Sequence, residues 1–169
     1  MTLTFHFTPL NQEKADDIIR KYPPNQRQSA LVPLLDLAQR QSEGWLSQAA
    51  IEAVAAFLGI PFLKALEVAS FYSMFNLKPV GKHHVQICGT TPCWLRGSDQ
   101  LRQACERHLG IGFQETTADQ LFSLSEVECL GACINAPVVQ INDIFYEDLT
   151  PYTLVEILKG LAKESTPLC

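Results

Sequence analysis

The chain has 169 residues, 47% of them hydrophobic, 18% charged, with a net charge of −5. That is one ordinary domain or a domain with a helical extension, apolar enough to pack a core and so not disordered. An acidic balance without clustered Lys and Arg excludes a nucleic-acid footprint. The longest run free of polar residues, Ala53 to Leu63, is eleven residues and carries Gly59 and Pro61, whereas a membrane span needs about 20. Met1 to Leu10 has no basic stretch followed by an apolar run, so no secretory signal is expected there. In a chain expected in the reducing cytoplasm, six cysteines are read for metal before disulfide.

The first half reads as four helices. Gln12 to Lys21 is a short amphipathic one that Pro23-Pro24 ends. Arg27 to Ser42 carries Ala30, Leu31, Leu34, Leu35, Leu37 and Ala38 on an apolar side, with Pro33 tolerable only near its first turn. Ser47 caps a third helix that Gly59 ends, and Pro61 opens a fourth with Phe62, Ala65, Leu66 and Ala69. Leu31, Leu34 and Leu35, with the thin alanine face of Ala49, Ala50, Ala53 and Ala56, are expected to meet another chain.

The pattern changes at Pro79-Val80-Gly81. His83 to Cys88 reads as a strand with Val85 and Ile87 on one face. Ser98 to His108 is helical, with Leu101, Cys105 and Leu109 on one stripe and Gly110 as its stop. Leu121 to Val127 is a second strand. Val138 to Ile141 and Ile144 to Tyr146 flank an Asn142-Asp143 hairpin turn. Thr150 and Pro151 open a last helix. The order β, α, β, β, β, α is that of a thioredoxin-like α/β layer. The expected division is a helical domain over 1–78, the α/β domain over 79–163 and a tail over 164–169.

Four cysteines stand out: Cys88-x4-Cys93, a gap of 35 residues, then Cys129-x3-Cys133. Each pair follows a predicted strand, so two loops at one end of a sheet can present four thiolates to one centre. Gly89, Thr90, Thr91, Leu130, Gly131 and Ala132 are small or flexible enough to aim N–H groups at sulfur. Neither pair has the two-residue spacing favoured by zinc ribbons and thioredoxin dithiols. On spacing, a [2Fe–2S] centre and zinc both stay open. Cys105 belongs to a core stripe, and Cys169 ends the chain. His83 and His84 do not fit a Rieske spacing. Phe71, Tyr72 and Phe75 read as core or inter-domain packing. Lys78, Lys82, His84 and Arg96 sit near the cysteines or on solvated surface. There is no phosphate-binding glycine loop, and Gly110-Ile-Gly112 lacks the third glycine of a dinucleotide fingerprint. The chain is therefore expected to carry no catalytic residues and no substrate site.

Ala69-Ser-Phe-Tyr-Ser-Met-Phe-Asn-Leu-Lys-Pro-Val-Gly-Lys82, Cys88-Gly-Thr-Thr-Pro-Cys93 and Glu128-Cys-Leu-Gly-Ala-Cys-Ile-Asn-Ala-Pro137 resemble the thioredoxin-like [2Fe–2S] subunits of respiratory NADH dehydrogenase, the NADH:quinone oxidoreductase or complex I. The resemblance extends from about residue 8 to about residue 163. It implies that Cys88, Cys93, Cys129 and Cys133 ligate one [2Fe–2S] cluster used for one-electron transfer. It further implies a partner flavoprotein that holds FMN and NADH, other peripheral-arm subunits, and a place at the cytoplasmic face of a bacterial inner membrane, without insertion. Related subunits serve NAD-linked hydrogenases and formate dehydrogenases, and a zinc-stabilised structural module is the remaining alternative. Thioredoxin-like folds often carry a cis-proline where Pro137 stands, but the residues themselves do not favour cis over trans.

Overall fold

The computed structural model describes residues 4–165 and divides the chain into two compact units, Met1–Pro79 and Val80–Cys169. Cys169 lies outside the described residues, and the expected tail is helical as far as Ser165.

The first unit holds the four expected helices, α1 (Pro9–Arg20), α2 (Leu31–Gln41), α3 (Gln48–Leu58) and α4 (Phe62–Phe71). The first begins earlier than expected, because Thr8 caps it by accepting the Asn11 N–H at 3.3 Å and Pro9 fills the first helical position. The second begins later, since Pro24–Ala30 forms a 3₁₀ segment that leads into it. Pro33 falls in the first turn of α2, where its missing N–H costs no helical bond. In α3, Ser47 accepts the Ala50 N–H at 3.2 Å and Gly59 adopts the left-handed conformation (φ +69°) that ends the helix. Ala15, Ala38, Ala50, Ala65 and Ala69 are fully buried or nearly so, which lets the helices approach closely around Leu34, Leu35, Leu46, Ile51 and Val54.

One expectation fails here. Leu31, Leu34 and Leu35 do not form a face for another chain; they are buried in the core of their own unit. The covering comes from the segment after α4. Gln39 donates to the Met74 carbonyl at 2.9 Å and accepts the Asn76 N–H at 2.8 Å, and Asn76 donates to the Gly44 carbonyl at 2.9 Å. These bonds fold the chain back so that Phe75 joins the core. Phe71 and Tyr72 lie outside it, Phe71 at 80% exposure.

The second unit is a five-stranded sheet with β1 (His83–Cys88), β2 (Glu115–Thr116), β3 (Phe122–Val127), β4 (Val139–Ile141) and β5 (Ile144–Tyr146), in the order β2-β3-β1-β4-β5. The β1–β3 pair is parallel and the other three pairs are antiparallel. Parallel pairing requires a crossover, supplied by α5 (Thr91–Leu95) and α6 (Ser98–Leu109). The last helix, α7 (Pro151–Ser165), packs beside α6. Val85 and Ile87 of β1, Phe122 and Leu124 of β3, and Val139 and Ile141 of β4 form one core with Leu101 and Cys105 of α6 and Leu154 and Leu158 of α7. Gly81 is required by close approach: a Cβ there would stand 2.7 Å from the Phe122 backbone carbon.

Candidate metal centre

Because β1 and β3 run parallel, both chains leave the sheet at the same end, with Cys88 paired to Val127. Cys88 is the last residue of β1, and its N–H donates to the Val138 carbonyl at 3.2 Å. The chain then turns through Gly89, whose N–H donates to the Val127 carbonyl at 3.0 Å, and enters α5. Cys93 therefore sits on a five-residue helix with Pro92 in its first turn, rather than at the end of an open loop. From β3 the chain passes Cys129 and Gly131 (φ +88°) to Cys133, which begins a 3₁₀ turn, Cys133–Asn135. The Ala136–Pro137 peptide bond that follows is cis.

The two segments pack on each other. Cys88 and Cys93, each 1% exposed, form a small buried cluster with Ala136 and Val138, against which Leu130 and Ala132 lie. Arg96, just past α5, donates through Nε to the Ala136 carbonyl at 3.2 Å and stands 4.0 Å from Asp148. Cys129 and Cys133 are exposed, with their sulfurs 3.4 Å apart.

The electrostatics tie the four thiols into one group. Burial pushes the Cys88 thiol up, but the Thr90 hydroxyl, the N–H groups of Thr90 and Leu130 and the Cys93 thiol outweigh it and hold Cys88 below its ordinary value. Burial and the Cys88 thiol push Cys93 up to about 11, against the Val138 N–H. The Gly131 N–H, then the Cys133 thiol, lower Cys129. The Cys129 thiol raises Cys133 in return, with burial and the nearby Cys88 adding to it. Each pair thus contains one thiol whose pKa is lowered and one whose pKa is raised, and Cys88 acts on the thiols of the other segment.

This donor set suits an iron–sulfur centre: four soft thiols, disposed as two pairs, with backbone N–H groups near enough to lower their pKa values. Among the described residues no three His, Cys, Asp or Glu side chains converge tightly enough to hold a single metal ion. Cys105 is fully buried in the sheet–helix core, its thiol pushed up to about 12 by burial and Glu106, as a packing residue should be. His84 Nε2 bonds Ser125 Oγ at 2.8 Å, and burial lowers its pKa. Of the residues proposed as donors to sulfur, the Thr90 hydroxyl lies 3.2 Å from Cys88 Sγ, and the Leu130 and Gly131 N–H groups lie close enough to lower the Cys88 and Cys129 pKa values. The Val138 N–H was not anticipated, and only its position after the proline signals it.

Residues 15–162 match the family described as thioredoxin-like [2Fe-2S] ferredoxin. The chain is 59% identical over 160 residues to the E subunit of the NADH-quinone oxidoreductase of Rickettsia bellii, covering 95% of this chain and 96% of that protein. It is 60% identical over 158 residues to the corresponding protein of Rickettsia felis, covering 94% and 95%. It is 55% identical over 154 residues to a Dictyostelium discoideum protein named NADH dehydrogenase [ubiquinone] flavoprotein 2, mitochondrial, covering 91% of this chain and 62% of that one. Among solved structures, an NAD+-reducing [NiFe]-hydrogenase in the air-oxidized state matches with a TM-score of 0.68 at 19% identity, over 78% of this chain and 23% of that chain. That likeness is one of fold.

Proposed function

This chain belongs to the thioredoxin-like [2Fe-2S] ferredoxin family, and we propose from that premise that Cys88, Cys93, Cys129 and Cys133 together hold one [2Fe–2S] cluster. The chain is an electron-transfer subunit of an NADH–quinone oxidoreductase. The observation that carries the ligand assignment is the exit of both cysteine segments from the same end of the parallel β1–β3 pair. When bound, such a cluster accepts and returns one electron.

The chain's own residues do the rest. The four thiolates would hold the irons. Burial of Cys88 and Cys93 keeps water from one side of the centre. The N–H groups of Thr90, Leu130, Gly131 and Val138 offset negative charge on sulfur. The exposed Cys129–Cys133 side is where an electron donor approaches. The donor is a flavoprotein carrying FMN and NADH, which this chain does not itself bind, and further peripheral-arm subunits complete the assembly. No helix among the described residues is long and apolar enough to cross a membrane, and the proposed location is the cytoplasmic face of a bacterial inner membrane, reached through the complex. The hydrogenase setting is the second reading, favoured by the shared fold. The 59% identity to a respiratory protein over 95% of the chain favours the first.

The ligand test is mutational. Cys88→Ser and Cys129→Ser should abolish or distort the visible iron–sulfur absorption, whereas Cys105→Ala should leave it intact. Unchanged spectra in both serine variants, or loss in a folded Cys105→Ala chain, would overturn the assignment. Co-purification with an FMN-containing NADH-oxidising subunit rather than with a hydrogenase subunit tests the setting.

A further inference from the structure

Thr90 stands at the N-cap of α5 with extended backbone (φ −74°, ψ 161°). A threonine in this position ordinarily turns its hydroxyl toward the helix and accepts an N–H of the first turn. Thr8 and Ser47 do so at α1 and α3. Thr90 makes no such bond. Its hydroxyl lies 3.2 Å from Cys88 Sγ. The capping interaction is given up, and the hydroxyl is turned to the Cys88 sulfur.

We propose that Thr90 is a positioning residue that sets the reduction potential of the centre, its hydroxyl donating to Cys88 Sγ at the point where the two cysteine segments meet. The proposal rests on the reading that the four cysteines hold a [2Fe–2S] cluster. A ligating cysteine is a thiolate without a proton, so the hydroxyl is the donor. A hydroxyl has one proton, which the distance commits to Cys88. Reduction adds negative charge to the ligand sulfurs, and a hydrogen bond to a more negative acceptor is stronger. The bond therefore favours the reduced state and raises the potential. Thr91, one residue on and exposed as the first residue of α5, supplies a matched control.

The test uses the full-length, cluster-loaded chain as wild type, Thr90→Val, Thr90→Ser and Thr91→Val. Iron and sulfide are quantified, and each variant is titrated redox-potentiometrically with EPR detection. Thr90→Val should be harder to reduce by about tenfold in the oxidised-to-reduced ratio at fixed potential, ~59 mV for one electron, with shifted g-values. Thr90→Ser and Thr91→Val should match wild type. A Thr90→Val chain at the wild-type potential overturns the proposal, as does a Thr90→Ser chain shifted equally or a Thr91→Val chain shifted alike. If Thr90→Val does not load, Thr90→Ala gives the same reading. Failure of both hydroxyl-free variants to load overturns the potential-setting role, since a hydroxyl needed only for assembly gives that result, and failure of Thr90→Ser to load overturns it as well. A wild-type chain without iron and sulfide overturns the underlying ligand reading instead.

Discussion

The two cysteine pairs occupy opposite physical environments. Cys88 and Cys93 are part of the interior, one at the end of a central strand and one on a short helix packed over it. Cys129 and Cys133 lie on an exposed segment with a left-handed glycine between them, and Ile134 beside them is 94% exposed. The first pair is held where the fold needs it, by the same contacts that stabilise the sheet. The second is held by backbone geometry and by whatever it binds. Such a division gives a centre one sheltered side and one side accessible to a redox partner.

The largest expected effect sharpens this contrast through the neighbours of each pair. Ile87, next to Cys88, is 2% exposed in the sheet core. Ile87→Ala should cost about 2–5 kcal/mol in urea unfolding of the cluster-free chain. Ile134→Ala, next to Cys133, should stay within about 0.5 kcal/mol. Equal losses would mean that the exposed segment is as firmly built as the strand.

A second contrast lies in the two glycines that bracket β1. Gly81→Ala forces a Cβ onto Phe122 backbone, and should cost about 1–3 kcal/mol. At Gly89 the three atoms nearest an added Cβ all belong to the side chain of exposed Glu126, which can swing toward solvent, and none is backbone. Gly89→Ala should therefore lower the thermal midpoint of the cluster-free chain far less than Gly81→Ala. The reverse order would show that the first cysteine segment is more tightly packed than the strand entrance.

The smallest effect tests the pairs themselves. Without a cluster, Cys93→Ala should destabilise the chain by about 1 kcal/mol through lost burial, and Cys133→Ala should leave it unchanged, although both should fail to assemble the cluster. A larger cost at Cys133 in the cluster-free protein would break the comparison.

The convergence of the two segments was legible because it depends on only two things, a cysteine placed just after each strand and a parallel pairing of those strands. Helix ends were legible where a side chain carries the signal: Ser47 and Gly59 bound α3, Gly110 ends α6 with φ +70°, and Thr150 and Pro151 open α7. The start of α1 was missed because Thr8 and Pro9 precede any apolar periodicity. Short elements left no pattern to read. Five residues of α5 and two of β2 span too little for a period, and Gln114 and Gln120 adopt positive φ without the glycine or asparagine that marks such turns. The error at Leu31, Leu34 and Leu35 has a similar origin. Their apolar stripe was visible, but the return of Phe75 through Gln39 and Asn76 hydrogen bonds was not. Backbone donors such as the N–H groups of Leu130 and Val138 have no residue-type signature at all.

The central claim is that four thiols, two sheltered and two exposed, hold a single binuclear iron–sulfur centre. Reduced-state EPR on the intact chain, with metal and sulfide quantified on the same sample, tests it most directly. About two iron and about two acid-labile sulfide per chain are expected, with one rhombic signal from one unpaired electron, lost in Cys88→Ser and Cys129→Ser. A colourless, EPR-silent protein containing about one zinc per chain would contradict it.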